Sequence, residues 1–269
     1  MASINNNSNK GGSSAWLTAL REQLRRYKAP TDDDDEEKEV SGMGIVESAA
    51  TAPIAERFRP KKAAVLICLF QSQNENHNNN NNNNDNNNNN SLRVILTKRS
   101  SNLSTHSGEV SLPGGKAEED DVDDAHTATR EAKEEIGLDP SLVDVVALLE
   151  PFLSKHLLQV IPVIGILSDR NAFNPTPNVD EVDDVFDAPL EMFLKDENRR
   201  CEEREWMGDR YLIHYFDYET GGKKYLIWGL TAGILIRAAS IVYQRPPAFL
   251  EQNPKFKVPG TVNKDTIMP

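Results

Sequence analysis

The chain is poor in cysteine: among its 269 residues only Cys68 and Cys201 carry a thiol. Two thiols do not make a disulfide-stapled framework, and Cys68, inside the apolar run AAVLICLF, reads as a buried free thiol of a reducing compartment. Long hydrophobic runs are missing too. The stretch VIPVIGIL is far short of the roughly 20 residues that a membrane-spanning helix needs, so no membrane partner is expected. No apolar segment follows the N-terminus, so no secretory signal is expected either. Positive charge is short: 30 Lys and Arg stand against 42 Asp and Glu, a net charge of −12. That balance argues against a nucleic-acid partner, because neutralising phosphates needs a basic face. An acidic chain can still take a phosphorylated small molecule where metal cations shield the charge. The length suits one medium domain with tails and suffices to bury a core.

Residues 1–60 lack the texture of a core. They open with NNNSNKGGSS and include TDDDDEEKE, a self-repelling run, so this part is expected to be mostly disordered. Between the two, SAWLTALREQLRRYK places Trp16, Leu17, Leu20, Leu24 and Tyr27 at three- and four-residue steps, the pattern of a short amphipathic helix. Its Arg21, Arg25 and Arg26 give it some likeness to a mitochondrial presequence. Glu22 and the acids that follow weaken that likeness, so the helix reads as one packing on the domain, and the cytosol is the expected compartment, with the mitochondrion as the alternative. The C-terminal TIMP is no peroxisomal signal.

From residue 61 to 250 the pattern is that of one domain, followed by a tail over 251–269. KKAAVLICLFQ and LRVILTK read as strands, the second with Val94 and Leu96 alternating against polar neighbours. The asparagine tract 78–90 between them reads as a disordered hairpin insertion. SLPGGK is a turn, DVDDAHTATREAKEEIG a helix, and DVVALLE and LLQVIPVIGIL are strands. DAPLEMFLKDENR reads as a short helix. YLIHYFDYETGGKKYLIWG reads as a hairpin turning at 220–222, and GLTAGILIRAASIVYQR as a helix stopped by Pro246 and Pro247, after which the chain is expected to lie on the surface. Strands with one helix among them and one at the end give an α+β sandwich.

The helix carrying REAKEEIGL bears the chemistry. Ala125, Ala128, Ala132 and Ile136 form its core stripe, Gly137 offers a left-handed cap, and Glu131, Glu134 and Glu135 are placed on the opposite side. Residues 118–135 hold nine acids against Arg130 and Lys133. A fully wet face tolerates that density, and on the glutamates alone a solvated acidic helix is the simpler reading. The spacing of an EF-hand calcium loop is not met. The turn ahead of the helix shifts the balance. Pro113, Gly114 and Gly115 let the backbone approach a ligand closely, and a glycine turn feeding a carboxylate-lined helix suits a metal–diphosphate site.

The segment from Gly115 to Leu138 resembles the Nudix box, whose second half is met by Arg130, Glu131, Ala132, Glu134, Glu135, Gly137 and Leu138. In the first half Asp121 stands where the pattern has glutamate, and eight rather than seven residues separate it from Arg130. The lengthened box, together with Leu96, Thr97, Arg99, Ser100, Gly108 and the Pro113–Gly115 turn, is similar to the coenzyme A diphosphatase branch, with Ser104 and Leu112 where bacterial members have arginine and phenylalanine. Residues 61–250 look like a plant member of that branch.

The resemblance implies a Nudix-type α/β/α sandwich with a mixed central sheet. It also implies Mg²⁺- or Mn²⁺-dependent hydrolysis of coenzyme A to adenosine 3′,5′-bisphosphate and 4′-phosphopantetheine. Glu131 and Glu135, four apart on one face, are the first implied metal ligands, with Glu134 third and the Gly115 carbonyl as a further one. Glu134, Glu181 and Arg130 carry the catalytic roles, with Glu181 resembling the loop glutamate that serves some members as general base and Arg130 bracing the glutamates. Arg99, Lys116 and Gly114 would contact the nucleotide. Lys98 and His106 read as surface residues, and Trp228 and Tyr225 as packing residues. ADP-ribose or NADH is the alternative substrate, and a silent nucleotide- or protein-binding module the alternative class. A homo-oligomer is left open.

Overall fold

The computed structural model describes residues 10–29, 61–72, 91–154, 158–206 and 209–252. The acidic run, the asparagine tract and the tail beyond residue 252 lie outside these. In chain order the elements are α1 (Lys10–Arg25), β1 (Lys62–Gln71), β2 (Leu92–Arg99), β3 (Val110–Ser111), β4 (Gly114–Lys116), α2 (Asp124–Ile136), β5 (Val143–Leu148), β6 (Phe152–Leu153), β7 (Gln159–Leu167), β8 (Val182–Pro189), β9 (Arg199–Trp206), β10 (Asp209–Thr220), β11 (Lys223–Trp228) and α3 (Gly229–Tyr243).

The central sheet is mixed. β1 runs parallel to β7 from Lys62↔Gln159 to Leu69↔Ile166, and its other pairings are antiparallel. A parallel neighbour with cover on both faces demands a strand apolar on every side. Residues 63, 64 and 66–70 of β1 are accordingly all buried. β2 departs from the expected alternation for the same reason: Leu92, Val94, Ile95 and Leu96 are all buried, because both of its faces are covered. Two core clusters lie on the two faces of this sheet. One packs Ala64, Leu66 and Ile95 under Ala128, Ala132 and Ile136 of α2. The other joins Ile67, Leu69 and Val94 to Leu17, Leu20 and Leu24 of α1, to α3, and to the small sheet β11–β10–β9. The expected α+β architecture, a mixed sheet between helices, is what the chain adopts.

The register of β1 and β2 explains where the glycine turn sits. They pair with each other only at Leu69↔Val94 through Gln71↔Leu92. Below that they part. β1 continues against β4, at Val65↔Gly114 through Ala63↔Lys116, while β2 continues against β3, at Thr97↔Ser111 and Lys98↔Val110. The segment 110–116 is therefore wedged into the sheet, with Leu66 N–H donating to the Pro113 carbonyl at 2.8 Å. A Cβ on Gly114, whose φ is 151°, would stand 2.3 Å from the Ala64 carbonyl oxygen, so only glycine fits between the strands there.

Two readings of the sequence need correction. DAPLEMFLKDENR is not a helix: its start closes β8, Leu190–Leu194 form a single 3₁₀ turn, and its end opens β9. β8 follows from its pairing along β2, from Arg93↔Pro189 to Arg99↔Val182, a long-range contact that local pattern cannot show. The segment after Pro247 does more than lie on the surface. Ala248 N–H donates to the Leu194 carbonyl, Leu212 N–H to the Gln252 carbonyl, and Arg199 stacks 4.0 Å over the Phe249 ring. The helix read as packing on the domain does so: α1 begins at Lys10, inside the polar opening, and is built into the core. Its Gln23 Nε2 donates to the carbonyls of Ile241 and Val242 at the end of α3, and Arg21 and Arg25 both pair with Asp144.

The hairpin turn matches its sequence: Gly221 and Gly222 have φ of 58° and 74° between β10 and β11. Tyr225 is buried and stacks on Phe186 at 3.7 Å, whereas Trp228 stacks on Tyr215 at 5.6 Å.

Candidate active site

α2 starts at Asp123, whose carboxylate accepts from His126 N–H at 2.7 Å, and ends at Gly137 with φ 72°. Its alanine stripe lets it lie close under β1 and β4. The closeness is measurable at Gly115: a Cβ there would lie 2.5 Å from Glu131 Oε1. The glycine thus leaves just enough room for a carboxylate beside the backbone.

The three glutamates do not share a side as expected. At 100° per residue Glu131 and Glu135 lie about 40° apart around the helix axis, while Glu134 is about 60° beyond Glu131, away from Glu135. Glu131 and Glu135 turn toward the glycine turn, and Glu134 stands at the rim with its side chain 55% exposed, its Oε2 held by Arg130 at 3.0 Å. Glu135 is 5% exposed, and its Oε2 accepts the Gly114 N–H at 3.1 Å. Burial pushes its carboxyl up to about 7, the nearby charges of Glu131 and Glu181 add to the rise, and the Gly114 N–H and Arg99 oppose it. Burial also raises Glu131, against the pull of Arg130. Two partly desolvated carboxylates facing one backbone turn are favoured once a cation sits between them. This donor set, all hard oxygen, fits a divalent ion.

Arg130 is the brace. Its Nη2 donates to Glu131 Oε1 and to the Lys116 carbonyl, both at 3.1 Å, and its Nη1 to Glu134. It is held in turn by Asp121, through Nε at 2.9 Å and Nη2 at 3.0 Å. Asp121 also accepts from Thr127 Oγ1 and Glu118 N–H, both at 2.9 Å, and its side chain is 3% exposed. The Arg130 guanidinium holds the Asp121 carboxyl well below the usual range. Its oxygens are fully engaged in structure, so the residue departing from the Nudix pattern braces the brace.

The flanking candidates separate. Arg99, at the end of β2, acts electrostatically on Glu135, and its Nε is buried without a hydrogen-bond partner. The Gly114 N–H is committed to Glu135, and the Lys116 side chain is exposed. Glu181 lies close enough to raise both Glu131 and Glu135. Its carbonyl accepts Ser100 N–H at 2.8 Å, which ties the Glu181 loop to the end of β2. His106 is exposed and contacts Glu109. Sequence reasoning missed Thr176 and Asn178, whose N–H groups reach the end of α2. The alternation Pro-Thr-Pro-Asn was the only local signal, since it leaves donors at every second residue.

The NUDIX domain family model matches residues 60–208. The chain belongs to the NUDIX family. It is similar to Nudix hydrolase 15, mitochondrial, of Arabidopsis thaliana, 69% identical over 85% of this chain and 75% of that protein. It is similar to Nudix hydrolase 22, chloroplastic, of the same plant, 62% identical over 91% of this chain and 78% of that one. A third relative, a peroxisomal coenzyme A diphosphatase of Mus musculus, is 40% identical over 59% of this chain and 67% of its own length. The chain is thus a Nudix hydrolase with plant relatives, acting on a nucleoside diphosphate derivative, in a family that typically requires a divalent metal. The expectation of a cytosolic protein is overturned by the 69% identical relative, whose name is mitochondrial. The sequence argument had rested on the weakness of a presequence, while the basic residues Arg21 and Arg25 that prompted it serve as partners of Asp144.

Proposed function

We propose that this Nudix hydrolase cleaves the diphosphate bond of coenzyme A and its derivatives, with Mg²⁺ or Mn²⁺, in the mitochondrion. The observation that carries the substrate class is Arg99. Its guanidinium acts on Glu135, which holds the Gly114 N–H, and its Nε has no hydrogen-bond partner, a donor that the 3′-phosphate of coenzyme A, absent from ADP-ribose, would take. An arginine is the side chain best suited to such an anion, because its fork can donate twice to one phosphate. The mouse relative named as a coenzyme A diphosphatase supports the same class.

In this reading Glu131 and Glu135 would hold the cation, with the Gly115 carbonyl and, from the rim, Glu134 as further oxygen donors. Held there, such an ion would supply charge neutralisation of the diphosphate and a lowered pKa for a water. The protein supplies the rest. Arg130, locked by Asp121, keeps Glu131 in one rotamer, so no reorganisation is needed as charge develops. Glu181 takes the proton from the attacking water as general base. The water oxygen adds to one phosphorus, the anhydride P–O bond breaks, and the products are adenosine 3′,5′-bisphosphate and 4′-phosphopantetheine. Lys116, with its exposed side chain, would contact a phosphate oxygen of the substrate.

The test compares kcat/KM on coenzyme A, acyl-coenzyme A, 3′-dephospho-coenzyme A, ADP-ribose and NADH, for the wild type and Arg99→Ala. A hydrogen bond to a charged group is worth about 1.5–3 kcal/mol, roughly ten- to a hundredfold if made in the transition state. Arg99→Ala should lose that factor on coenzyme A and much less on the dephospho form. Equal losses on both, or equal wild-type kcat/KM for coenzyme A and ADP-ribose, would refute the assignment.

A further inference from the structure

Helix α2 ends in a way that the left-handed cap alone does not complete. Gly137 N–H reaches the Lys133 carbonyl at 2.9 Å and Leu138 N–H the Ala132 carbonyl at 3.3 Å. The carbonyls of Glu135 and Ile136, past these, need other donors. They receive them from the loop that carries Glu181: Thr176 N–H donates to Ile136 at 3.0 Å and Asn178 N–H to Glu135 at 2.8 Å. The sequence Pro175-Thr176-Pro177-Asn178 is built for this. Proline has no N–H and a fixed φ, so the two prolines stiffen the segment and leave donors only at the two residues between and after them. The fit is close, since a Cβ on Gly137 would stand 1.9 Å from Thr176 Oγ1.

Asn178 is the hub of the second half of the loop. Its carbonyl accepts the N–H groups of Glu181 at 3.0 Å and Val182 at 2.8 Å, and its Oδ1 accepts Asp180 N–H at 3.2 Å. One residue therefore bonds the backbone of Glu135 on one side and the backbone of Glu181 on the other. Beyond Glu181 the chain enters β8 and pairs with β2, while Ser100 N–H holds the Glu181 carbonyl. The glutamate is fixed from both directions.

We propose that Asn178 is a positioning residue that sets the Glu181 carboxylate against the metal-binding end of α2, a role that rests on the reading of Glu181 as the general base. The loop is a clamp between the last turn of α2 and the end of β2. The distance between base and cation-binding carboxylates is then fixed by backbone hydrogen bonds, and the side-chain Oδ1 on Asp180 N–H holds residue 178 in the turn that makes them. A general base contributes roughly 10²–10⁴-fold, and a misplacement of about 1 Å is enough to forfeit about 10²-fold.

The test is a double-mutant cycle on the full chain with its divalent metal. Asn178→Ala, Asn178→Asp, Glu181→Gln and the doubles with Glu181→Gln are compared for kcat, KM and folded fraction. Asn178→Ala should lower kcat about tenfold with KM within about twofold. Asn178→Asp, which keeps the acceptor for Asp180 N–H, should stay within about threefold of wild type. In the Glu181→Gln background Asn178→Ala should cost less than about twofold, because the group it positions is gone. Pro177→Gly, which frees φ between the two donors, replaces Asn178→Ala if that variant does not fold. A tenfold loss in both backgrounds would overturn the proposal while leaving Glu181 as base. Wild-type kcat for Glu181→Gln would sink the base reading and this inference with it, and wild-type kcat for Asn178→Ala would sink this inference alone.

Discussion

Glu135→Gln should make the protein more stable without metal and nearly inactive with it, and the size of the first effect follows from the site. Glu135 is 5% exposed, and its carboxyl is raised from 4.5 to about 7, mainly by burial. With the folded value above the unfolded one, the folded state holds a proton that the unfolded state releases. Its contribution is therefore fully present below about pH 4.5, falls as pH rises through 7, and is gone above that. A shift of two to three units corresponds to about 3 kcal/mol. Glutamine is isosteric, its Oε1 can still accept the Gly114 N–H, and it carries no charge to desolvate. In chelator at pH 8.5 the variant should exceed wild type by about 2–3 kcal/mol, roughly 5–10 °C in Tm for a domain of this size. At pH 5 the gap should shrink to under about 1 kcal/mol. Saturating Mg²⁺ at pH 8.5 should raise the wild-type Tm and leave the variant almost unmoved. Paired thermal melts at the two pH values, with chelator and with metal, measure all of this. A variant less stable than wild type in chelator at pH 8.5, or a gap equal at both pH values, would refute the assignment of Glu135 as a desolvated carboxylate awaiting a cation.

Two further outcomes separate structure from ligation. Asp121→Asn leaves Arg130 short of its main partner and should cost about 2–4 kcal/mol in urea denaturation. It should lower Mn²⁺ affinity clearly less than Glu131→Gln does, because the Asp121 oxygens are spent on Arg130, Thr127 and Glu118 and reach the site only through Arg130; a loss as large as that of Glu131→Gln would make Asp121 a ligand after all. Leu24→Ala empties a fully buried site under α1 and should cost about 2–5 kcal/mol. A cost below about 1 kcal/mol would mean that α1 is an appendage, not part of the core.

How far the sequence could be read depended on whether a feature is encoded locally. The core stripe of α2, its glycine cap, the two-glycine hairpin and α3 all follow from residues within one turn or one strand of each other, and they were legible. β8 and β9 were not. Their stability comes from Arg93–Arg99 and from β10, partners far along the chain, and Val182–Pro189 contains four polar or proline residues that mask its strand character. The same division runs through the site. The box motif named Arg130 and the glutamates, and its departure at Asp121 marked a residue worth tracing. The four-residue step set Glu131 and Glu135 on one face ahead of Glu134, but how far each is desolvated was not legible, because that depends on where β4 is wedged between β1 and β2. A helix on its own exposes Glu131, Glu134 and Glu135 alike. Only when α2 lies against a backbone with no Cβ at residue 115 do two of the three become partly desolvated, and that desolvation distinguishes a cation site from a wet acidic helix. The selectivity among three adjacent glutamates is thus a property of the glycine turn, and a side chain added at Gly115 should erase it even with all three glutamates in place.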